Sequence, residues 1–323
     1  MLPQGFLPIN KPVGLRSSSC VELAKKIIGR GGKVGHGGTL DSSASGLLIL
    51  LLGGATRLSN LIMLMPKTYS AVVKLGTETS TCDYTGETVG SGDWSGVSEA
   101  DIDRAMLSFL GWRLQTPPKV SAVHVRGRRA HELFRKGGDP NLGPKAVFIE
   151  SARRGSAISG DGEFSIAVKC GKGTYIRSLA SDLGRALGCG AHIAALRRER
   201  VGYFSLSRSL DPGVDFSVSR EKLLSSVMPV STMENFLPGY AVSDEDASLM
   251  SNGRAVPLSR AVRRTHGESS PRGMAVITSG SLLSVARLEA LGGNASLTPE
   301  VNIQMPGTPE PDPAEAPGGG NAV

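Results

Sequence analysis

The chain has 323 residues, 40% of them hydrophobic and 20% charged, with a formal net charge of +7 and a pI near 9.4. This balance describes a soluble globular protein with a substantial core, in one or two domains, and excludes a wholly disordered chain. Residues 305–323 hold acids but no base, so the positive charge belongs to the rest of the chain. A basic body favours a polyanionic partner, and nucleic acid ahead of a membrane surface.

The spacing of the cysteines and histidines indicates the redox state of the protein's compartment and whether a metal site is expected. The four cysteines are widely spaced without a Cys-x-x-Cys pair, and the five histidines show no metal-ligand spacing. This pattern predicts a reducing compartment and neither a disulfide framework nor a metal site. Residues 1–6 lack the basic and apolar regions of a signal peptide. We therefore expect a cytoplasmic protein without a membrane segment.

The N-terminal part predicts one strand and one helix. A strand-like run at 6–10 enters a turn that is headed by Lys11. Ser19 and Glu22 have the spacing of a capping box, which predicts the start of a helix that ends at Gly29.

A glycine-rich segment at 35–46 follows, with Asp41 at its centre, and it leads directly into the apolar run Leu47–Leu52. Six apolar residues are too few to span a bilayer and are typical of a buried strand. Asp41 is therefore expected on a loop that a rigid core element holds in place. Taken alone, the segment fits equally well an ordinary hairpin turn with a capping or solvated Asp.

The middle of the chain alternates between helical and strand-like patterns. Helices are predicted at 55–65, at 98–110 and after Gly173, and strands at 67–75, 146–150, 163–170 and 201–206. Tyr69 lies early in the first of these strands, and Asp83 lies in a polar turn region.

Arg177 lies in the first turn of the helix after Gly173, beside the apolar stripe that the helix is expected to bury. A buried arginine needs an anionic partner, because an unpaired buried charge is costly. Asp41 is the candidate for this partner.

Two basic segments are candidates for contact with RNA phosphates. One contains Arg126, Arg128 and Arg129, and the other contains Arg197 and Arg198. Such cationic density supplies much of the attraction between a protein and a nucleic acid. A solvated hairpin could carry the first segment as well.

The pattern changes near residue 237. Residues 1–236 form the predicted main domain, and residues 237–304 form a small β-rich module. From residue 305 onward Pro, Gly and acidic residues dominate, which predicts a disordered tail at 305–323.

Five blocks of motifs occur in order across residues 5–206. They are Asn10-Lys11-Pro12-x-Gly14; Val34-Gly35-His36-x-Gly38-Thr39-Leu40-Asp41; Lys67-x-Tyr69 with Thr79-x-Thr81-x-Asp83-x-x-Gly86; Gln115-x-Pro117-Pro118; and Gly173-Thr174-Tyr175-Ile176-Arg177 with Leu196-Arg197-Arg198. In this order and content the chain resembles the TruB family of tRNA pseudouridine synthases.

The resemblance implies an α+β fold, with a mixed, mainly antiparallel central sheet, flanking helices and an RNA cleft, followed by a small β-rich, PUA-like module. It implies that a uridine in the T-loop of tRNA, at position 55, is flipped out and isomerised to pseudouridine without a cofactor or a metal. The expected partner is therefore the T-arm of tRNA, and a monomer is the expected state.

The resemblance also implies roles for single residues. Asp41 would be the catalytic nucleophile or base, Arg177 would pair with it, and Tyr69 would stack on the target base. His36 would wedge into the vacated base stack, unless it is simply a satisfied turn histidine. Leu196 would line the pocket. Phosphates would be held by Lys11, Arg126, Arg128, Arg129, Arg197 and Arg198, and Asp83 would organise its loop by hydrogen bonds.

Three positions depart from the family pattern. Ser42 stands where the family usually has Pro, which predicts a less rigid loop after Asp41. His124 stands in place of a lysine and His131 in place of an aromatic residue, which affects RNA contact more than chemistry.

Three alternatives stay open at this point. The first is a synthase that acts on another RNA, such as the guide-RNA-directed dyskerin class. The second is a non-catalytic RNA-binding or RNA-folding module, and the third is a structural ribosome-associated protein. The combination of Asp41, Tyr69 and Arg177 argues against the last two.

Overall fold

The apolar run after the glycine-rich segment forms a strand whose last seven residues, Gly46–Leu52, are buried. The computed structural model of the chain describes residues 4–29, 31–121, 124–125, 128–135, 138, 140–267, 273–280, 282–291 and 294–305. These residues form two compact units that divide between Met228 and Pro229.

The first unit mixes strands and helices along its whole length. Its strands are β1 (Gly5–Lys11), β2 (Val34–His36), β3 (Ser45–Leu52), β4 (Lys67–Leu75), β5 (Thr77–Thr79), β6 (Thr88–Ser91), β7 (Gly111–Gln115), β8 (His124–Val125), β9 (Arg128–Arg129), β10 (Lys145–Arg154), β11 (Glu163–Cys170), β12 (Ala191–Val201), β13 (Phe204–Ser205) and β14 (Met228–Pro229), the last at the division. Its helices are α1 (Ser17–Ile28), α2 (Ser59–Leu64), α3 (Glu99–Leu107), α4 (Ala130–Arg135), α5 (Ile176–Ala186) and α6 (Arg220–Ser225), with 3₁₀ turns at Gly53–Leu58 and Leu206–Arg208.

A ten-stranded sheet is the frame of this unit. Its order is β14-β1-β3-β12-β4-β11-β10-β7, with β2 beside β3 and β13 beside β12. β12 runs parallel to β3 and antiparallel to β4, and the ladders from β4 through β11 and β10 to β7 are antiparallel. The predicted mixed, mainly antiparallel central sheet with flanking helices is confirmed.

Two apolar clusters hold the helices on the sheet. One packs Leu179 and Leu183 of α5 with Val73 and Phe164 of the sheet. The other, which includes Leu7, Leu48, Val21 and Leu223, joins α1 and α6 to β1 and β3. Each fully buried side chain of this kind contributes about 1.5–3 kcal/mol, so the strands around the Asp41 segment are firmly anchored.

Helix α1 begins earlier than its sequence predicts. The helix starts at Ser17, and Arg16 at the N-cap makes no side-chain capping bond, so the Ser19–Glu22 capping box does not form. The helix ends at Gly29 as predicted, with a backbone φ of 97° there. Ser17 is instead committed to a buried pair of hydrogen bonds with Leu40.

The prediction for residues 191–201 was incomplete in a way that affects the site. The long strand β12 occupies this stretch, whereas the sequence predicted only a basic patch followed by a strand at 201–206. Its first three residues are all buried, and further along Arg197 is exposed and Arg198 is buried. A basic residue that faces inward breaks the pattern on which strand prediction depends.

The second unit is β-rich, as predicted. Its strands are β15 (Gly239–Ala241), β16 (Val256–Pro257), β17 (Val262–Thr265), β18 (Met274–Ser279), β19 (Leu282–Leu291) and β20 (Asn294–Gln304), with helix α7 (Asp244–Ser251) and 3₁₀ turns at Val230–Asn235 and Leu258–Arg260. The strands form a six-stranded sheet of order β16-β20-β19-β18-β15-β17. Tyr240, Met250, Ile277 and Leu297 belong to its core.

The unit begins before residue 237, where the sequence suggested a boundary. The 3₁₀ turn at Val230–Asn235 already belongs to it, because the Glu234 carbonyl accepts a hydrogen bond from the Thr265 hydroxyl at 3.3 Å. The tail predicted to be disordered lies outside the described residues apart from Met305. In the described part of the chain, no helix is long and apolar enough to cross a membrane.

Candidate active site

A cavity of about 270 Å³ opens beside Asp41. Its walls come from the Asp41 loop (residues 37–44, between β2 and β3), the start of β4, the segment 171–177 that leads into α5, and the middle of β12. This volume lies near the lower end of ligand pockets, so the cavity suits a single nucleoside rather than a folded RNA segment.

Asp41 and Arg177 form the ion pair that the sequence predicted. The Arg177 Nη2 atom lies 2.8 Å from the Asp41 Oδ2 atom, with the arginine side chain 4% exposed and the aspartate 37% exposed. The same guanidinium donates to the carbonyls of Thr81 and Val120 at 2.9 and 2.8 Å. The two carbonyls therefore hold the Arg177 guanidinium in place, while the Asp41 carboxylate remains open to the cavity.

Asp83 organises the neighbouring loop, as expected. Its buried carboxylate accepts hydrogen bonds from the hydroxyls of Thr81 and Thr85, and its Oδ2 atom lies 3.8 Å from the Arg177 Nε atom. Burial acts to raise the pKa of Asp83, but the threonine hydrogen bonds and Arg177 outweigh it and leave that pKa below its ordinary value. Asp83 also accepts from the Ser43 hydroxyl at 2.9 Å, which ties it to the Asp41 loop.

The backbone on both sides of Asp41 is held as well. The Ser17 hydroxyl donates to the Leu40 carbonyl and accepts from the Leu40 N–H, each at 2.9 Å. The Ser42 carbonyl accepts from the Gly14 N–H at 2.7 Å. A loop that is held at successive residues keeps its carboxylate in one place. These hydrogen bonds therefore restrain the loop although Ser42 stands where the family usually has proline.

The apolar walls of the cavity are aromatic and aliphatic. Tyr69 and Leu196 line it from adjacent strands, as predicted, and both side chains are half-buried. Burial raises the pKa of Tyr69, although the charge of Arg198 and a hydrogen bond from it act in the opposite direction. The Tyr69 hydroxyl is therefore protonated at neutral pH.

A second tyrosine, Tyr175, lines the same cavity and was not singled out from the sequence. The Gln115 side chain fixes its backbone from both sides, accepting from the Tyr175 N–H at 2.8 Å and donating to its carbonyl at 3.0 Å. Burial and the nearby Asp41 raise the pKa of Tyr175. Tyr175 is itself part of the motif from Gly173 to Arg177, and this membership was the available signal.

His36 lies at the end of β2, next to the Asp41 loop. Its Nδ1 atom accepts a hydrogen bond from the Gly38 N–H at 3.3 Å, and its side chain is half-buried. Burial, assisted by the charge of Arg198, lowers the pKa of His36, so the ring is neutral at pH 7. This geometry fits the satisfied turn histidine, and it leaves the wedge role a proposal.

Lys11 differs from the expected phosphate contact. Its side chain is fully buried, and its ammonium donates to the carbonyls of Pro12 and Leu15, each at 2.8 Å. Burial lowers its pKa to about 8. An ammonium enclosed in this way cannot reach a phosphate on the surface, so Lys11 closes the turn after β1 instead.

Lys67 is a second buried lysine that sequence reasoning missed as part of the site. Its ammonium donates to the carbonyls of Ile62, Met63 and Met65 at the end of α2. Burial, followed by the charge of Arg198, lowers its pKa to about 7. Lys67 thereby fastens the end of α2, and with it Met63, to the wall of the cavity.

Of the predicted phosphate-binding arginines, Arg197 is exposed on β12, with its Nε atom 3.7 Å from a Glu199 carboxylate oxygen. Arg198 does not fit the expected contact with a phosphate, because its side chain is 2% exposed and its described hydrogen bonds all go to backbone carbonyls inside the protein. Arg126 lies outside the described residues, and for Arg128 and Arg129 the backbone alone is described, as strand β9.

Sequence comparisons cover most of the chain. Residues 25–176 match the family model for the N-terminal domain of TruB family pseudouridylate synthases. Residues 177–233 match the family model for the C-terminal domain of tRNA pseudouridylate synthase B. A tRNA pseudouridine synthase B of Synechococcus sp. (strain CC9311) is 38% identical over 79% of this chain and 86% of its own. Another of Dehalococcoides mccartyi (strain ATCC BAA-2100 / JCM 16839 / KCTC 5957 / BAV1) is 37% identical over 79% of this chain and 85% of its own.

The fold has solved relatives. The crystal structure of a Cbf5–Nop10–Gar1 complex superimposes with a TM-score of 0.68 at 25% identity, covering 93% of this chain and 84% of the other. This likeness supports the pseudouridine synthase fold, and the two family models together match residues 25–233. The chain therefore belongs to the TruB family of pseudouridylate synthases.

Proposed function

We propose that this protein isomerises the uridine at position 55, in the T-loop of tRNA, to pseudouridine, with Asp41 as the catalytic carboxylate. The observation that carries the proposal is the 2.8 Å ion pair between Asp41 and Arg177 in a cavity sized for one nucleoside. The relatives that are named tRNA pseudouridine synthase B support the choice of tRNA as substrate.

The reaction needs one carboxylate beside the ribose and the base. The bond between the ribose carbon and the uracil nitrogen breaks, the uracil turns, and a bond forms from the same ribose carbon to a ring carbon. One ring C–H is exchanged for one N–H, so the step needs neither oxidant nor water. Asp41 would serve as nucleophile or base in this sequence, with Arg177 keeping the carboxylate aimed at the base.

The aromatic wall gives the detached base a surface on which to turn. Tyr69 offers a ring face, and Leu196 covers the adjacent wall, so the uracil stays enclosed between cleavage and reattachment. Stacking on an aromatic side chain contributes about 1–3 kcal/mol per base and does not require a fixed hydrogen-bond pattern. This suits a base that must change its orientation.

A uridine inside a folded T-loop must leave its stack to enter this cavity. His36, neutral and next to the Asp41 loop, is the residue we propose to occupy the vacated space. Exposed Arg197, with Arg126, Arg128 and Arg129, would attract the RNA backbone. We expect a monomer in the cytoplasm to carry out the reaction. The molar mass obtained from sedimentation in the analytical ultracentrifuge, for the protein alone and with one tRNA, tests whether the protein is a monomer.

The experiment uses one unmodified tRNA transcript and a matched transcript in which cytidine replaces the T-loop uridine, each first without and then with an added guide RNA complementary to the T-loop. Pseudouridine is then mapped by position. We expect product at the T-loop uridine of the first transcript and none in the second. Product at other uridines would overturn the substrate assignment, and product that appears only with a guide RNA would favour the RNA-guided class.

A further inference from the structure

We propose that Arg198 is a positioning residue whose single guanidinium holds the Asp41 loop and Tyr69 in register with each other. The proposal assigns Arg198 to the reaction rather than to phosphate binding, and it deepens the function proposed above, on which it rests. Two independent sets of contacts carry it.

The first set fastens the Asp41 loop on both sides. Arg198 Nη2 donates to the Gly38 carbonyl and Nη1 to the Thr39 carbonyl, each at 3.1 Å. Arg198 Nε donates to the Leu47 carbonyl at 2.7 Å. Two acceptors precede Asp41 and one follows it, so the planar fork spans the base of the loop. Arginine fits this task because its donors lie in a rigid plane.

The second set reaches Tyr69. Arg198 lies directly opposite Tyr69 in the register of β12 and β4, and both side chains line the cavity beside Asp41. The strand pairing therefore fixes the position of Tyr69 relative to the guanidinium that holds the Asp41 loop.

The backbone explains why Arg198 occupies this position. β12 meets β3 through parallel pairing of Arg197 with Ser45 and of Arg198 with Gly46. Gly46 has a φ of 105°, and a Cβ atom there would lie 2.4 Å from the Arg198 carbonyl oxygen. A glycine therefore lets β12 approach the strand that leaves the Asp41 loop, which brings the Arg198 side chain beneath the loop.

Two other readings of Arg198 make different predictions. A phosphate-binding arginine needs free donors at the surface, whereas Arg198 is 2% exposed and uses three nitrogens on carbonyls. A purely structural arginine would affect stability but not the turnover of the folded protein. After burial, the charge of Arg198 is the next cause of the lowered pKa of His36 and of Lys67.

The test compares Arg198→Met and Arg198→Lys with Arg197→Met, the exposed neighbour on the same strand. At saturating tRNA we expect kcat of Arg198→Met to fall about 100-fold, with KM within about threefold, because misplaced reacting groups cost about that factor. Arg198→Lys should recover less than full activity, since an ammonium cannot span all the acceptors. Arg197→Met should raise KM and leave kcat near wild type.

A second readout does not depend on activity. In protein with labelled tyrosine, NMR titration should show that the pKa of Tyr69 rises in Arg198→Met, because the positive charge that opposes the effect of burial is lost. Arg197→Met should leave that pKa unchanged.

The outcomes separate the two proposals. If wild-type protein makes no T-loop pseudouridine, the proposed function fails, and the titration still judges Arg198. A folded Arg198→Met protein with an unchanged Tyr69 pKa would overturn the positioning role. So would wild-type kcat with a raised KM, which would return Arg198 to phosphate binding.

Discussion

Buried positive charge at this site is held largely by backbone carbonyls. Arg177 and Arg198 together donate to five carbonyl oxygens, and Lys67 and Lys11 have carbonyl partners of their own. Carbonyls satisfy the donors without neutralising the charge, so the surroundings of Asp41 stay electropositive. Such a setting suits a carboxylate that acts on a polyanionic substrate.

Replacing Arg177 tests how much this network contributes. Arg177→Gln removes the charge opposite Asp41 and leaves two partly buried carbonyls, those of Thr81 and Val120, without their donor. We expect a loss of about 3–5 kcal/mol in the free energy of unfolding and a kcat at least 100-fold lower. Urea unfolding and tRNA turnover measure the two effects.

The matched control for that change lies on the same helix. Arg185 is 68% exposed and pairs with Asp182 one turn away, so Arg185→Gln should cost less than about 1 kcal/mol. Equal losses from the two changes would show that the Arg177 contacts are not specifically stabilising.

Lys67 gives a prediction about pH. Burial lowers its pKa from 10.5 to about 7 in the folded protein, so between these values the unfolded chain binds more protons than the folded one. The free energy of unfolding of the wild type should therefore rise with pH in this window, by up to about 1.4 kcal/mol per pH unit. Lys67→Met lacks this contribution.

The measurement is the difference in unfolding free energy between wild type and Lys67→Met at several pH values from 7 to 10. Other groups, including Lys11, titrate in both proteins and largely cancel. We expect the difference to shift in favour of the wild type as pH rises. A difference that stays flat would mean that Lys67 keeps its ordinary pKa in the folded protein.

The residues that carry charge show what a sequence can reveal about a site. The Asp41–Arg177 pair was predictable, because a base beside an apolar stripe needs an acid and the glycine-rich segment supplied one. Arg198 and Lys11 were assigned to phosphates, since in sequence a buried cation that donates to carbonyls looks the same as one on the surface. The acceptors of Arg198 lie about 150–160 residues away in the chain.

At the level of elements, the contact between β3 and β12 decides the geometry of the site. It pairs only Arg197 with Ser45 and Arg198 with Gly46 in the described register. Gly46 permits this contact through its positive φ and its missing side chain. The parallel ladder therefore depends on a residue type as well as on apolar burial.

Gly46→Ala tests that dependence. A methyl group at this position would clash with the Arg198 backbone, so we expect a loss of about 3 kcal/mol or more and a parallel fall in kcat. Gly14→Ala is the matched control, because Gly14 also has a positive φ, 92°, but no atom lies within 4 Å of the added carbon. It should cost about 1–2 kcal/mol from backbone strain alone. Denaturant unfolding compares the two.

Elements with a regular apolar period were the ones that the sequence predicted well. β3, β4, β11 and α5 occur where the pattern placed them. β12 was missed because its C-terminal half, Leu196–Val201, carries four charged residues and a register shift between Arg198 and Arg200. The helix predicted at 55–65 forms as a 3₁₀ turn followed by α2. Tertiary contacts, not local propensity, settle such segments.

For the whole molecule, every described residue of the proposed site lies in the first unit, before Met228. We propose that the β-rich second unit, which the sequence placed at residue 237, adds affinity for RNA rather than chemistry. A protein that ends after Met228 should keep kcat within about threefold of wild type while KM for tRNA rises about tenfold or more. A folded truncated protein with wild-type KM and lost kcat would contradict this division of labour.

In the proposed function, Asp41, held by Arg177, carries out the chemistry on a tRNA uridine. Single-turnover pseudouridine formation by Asp41→Asn, measured beside its tRNA affinity, tests this most directly, because Asn preserves size and removes the carboxylate. We predict no product above background, with tRNA affinity within severalfold of wild type. Product formation near the wild-type rate by a correctly folded Asp41→Asn protein would show that the Asp41 carboxylate is not required for the reaction.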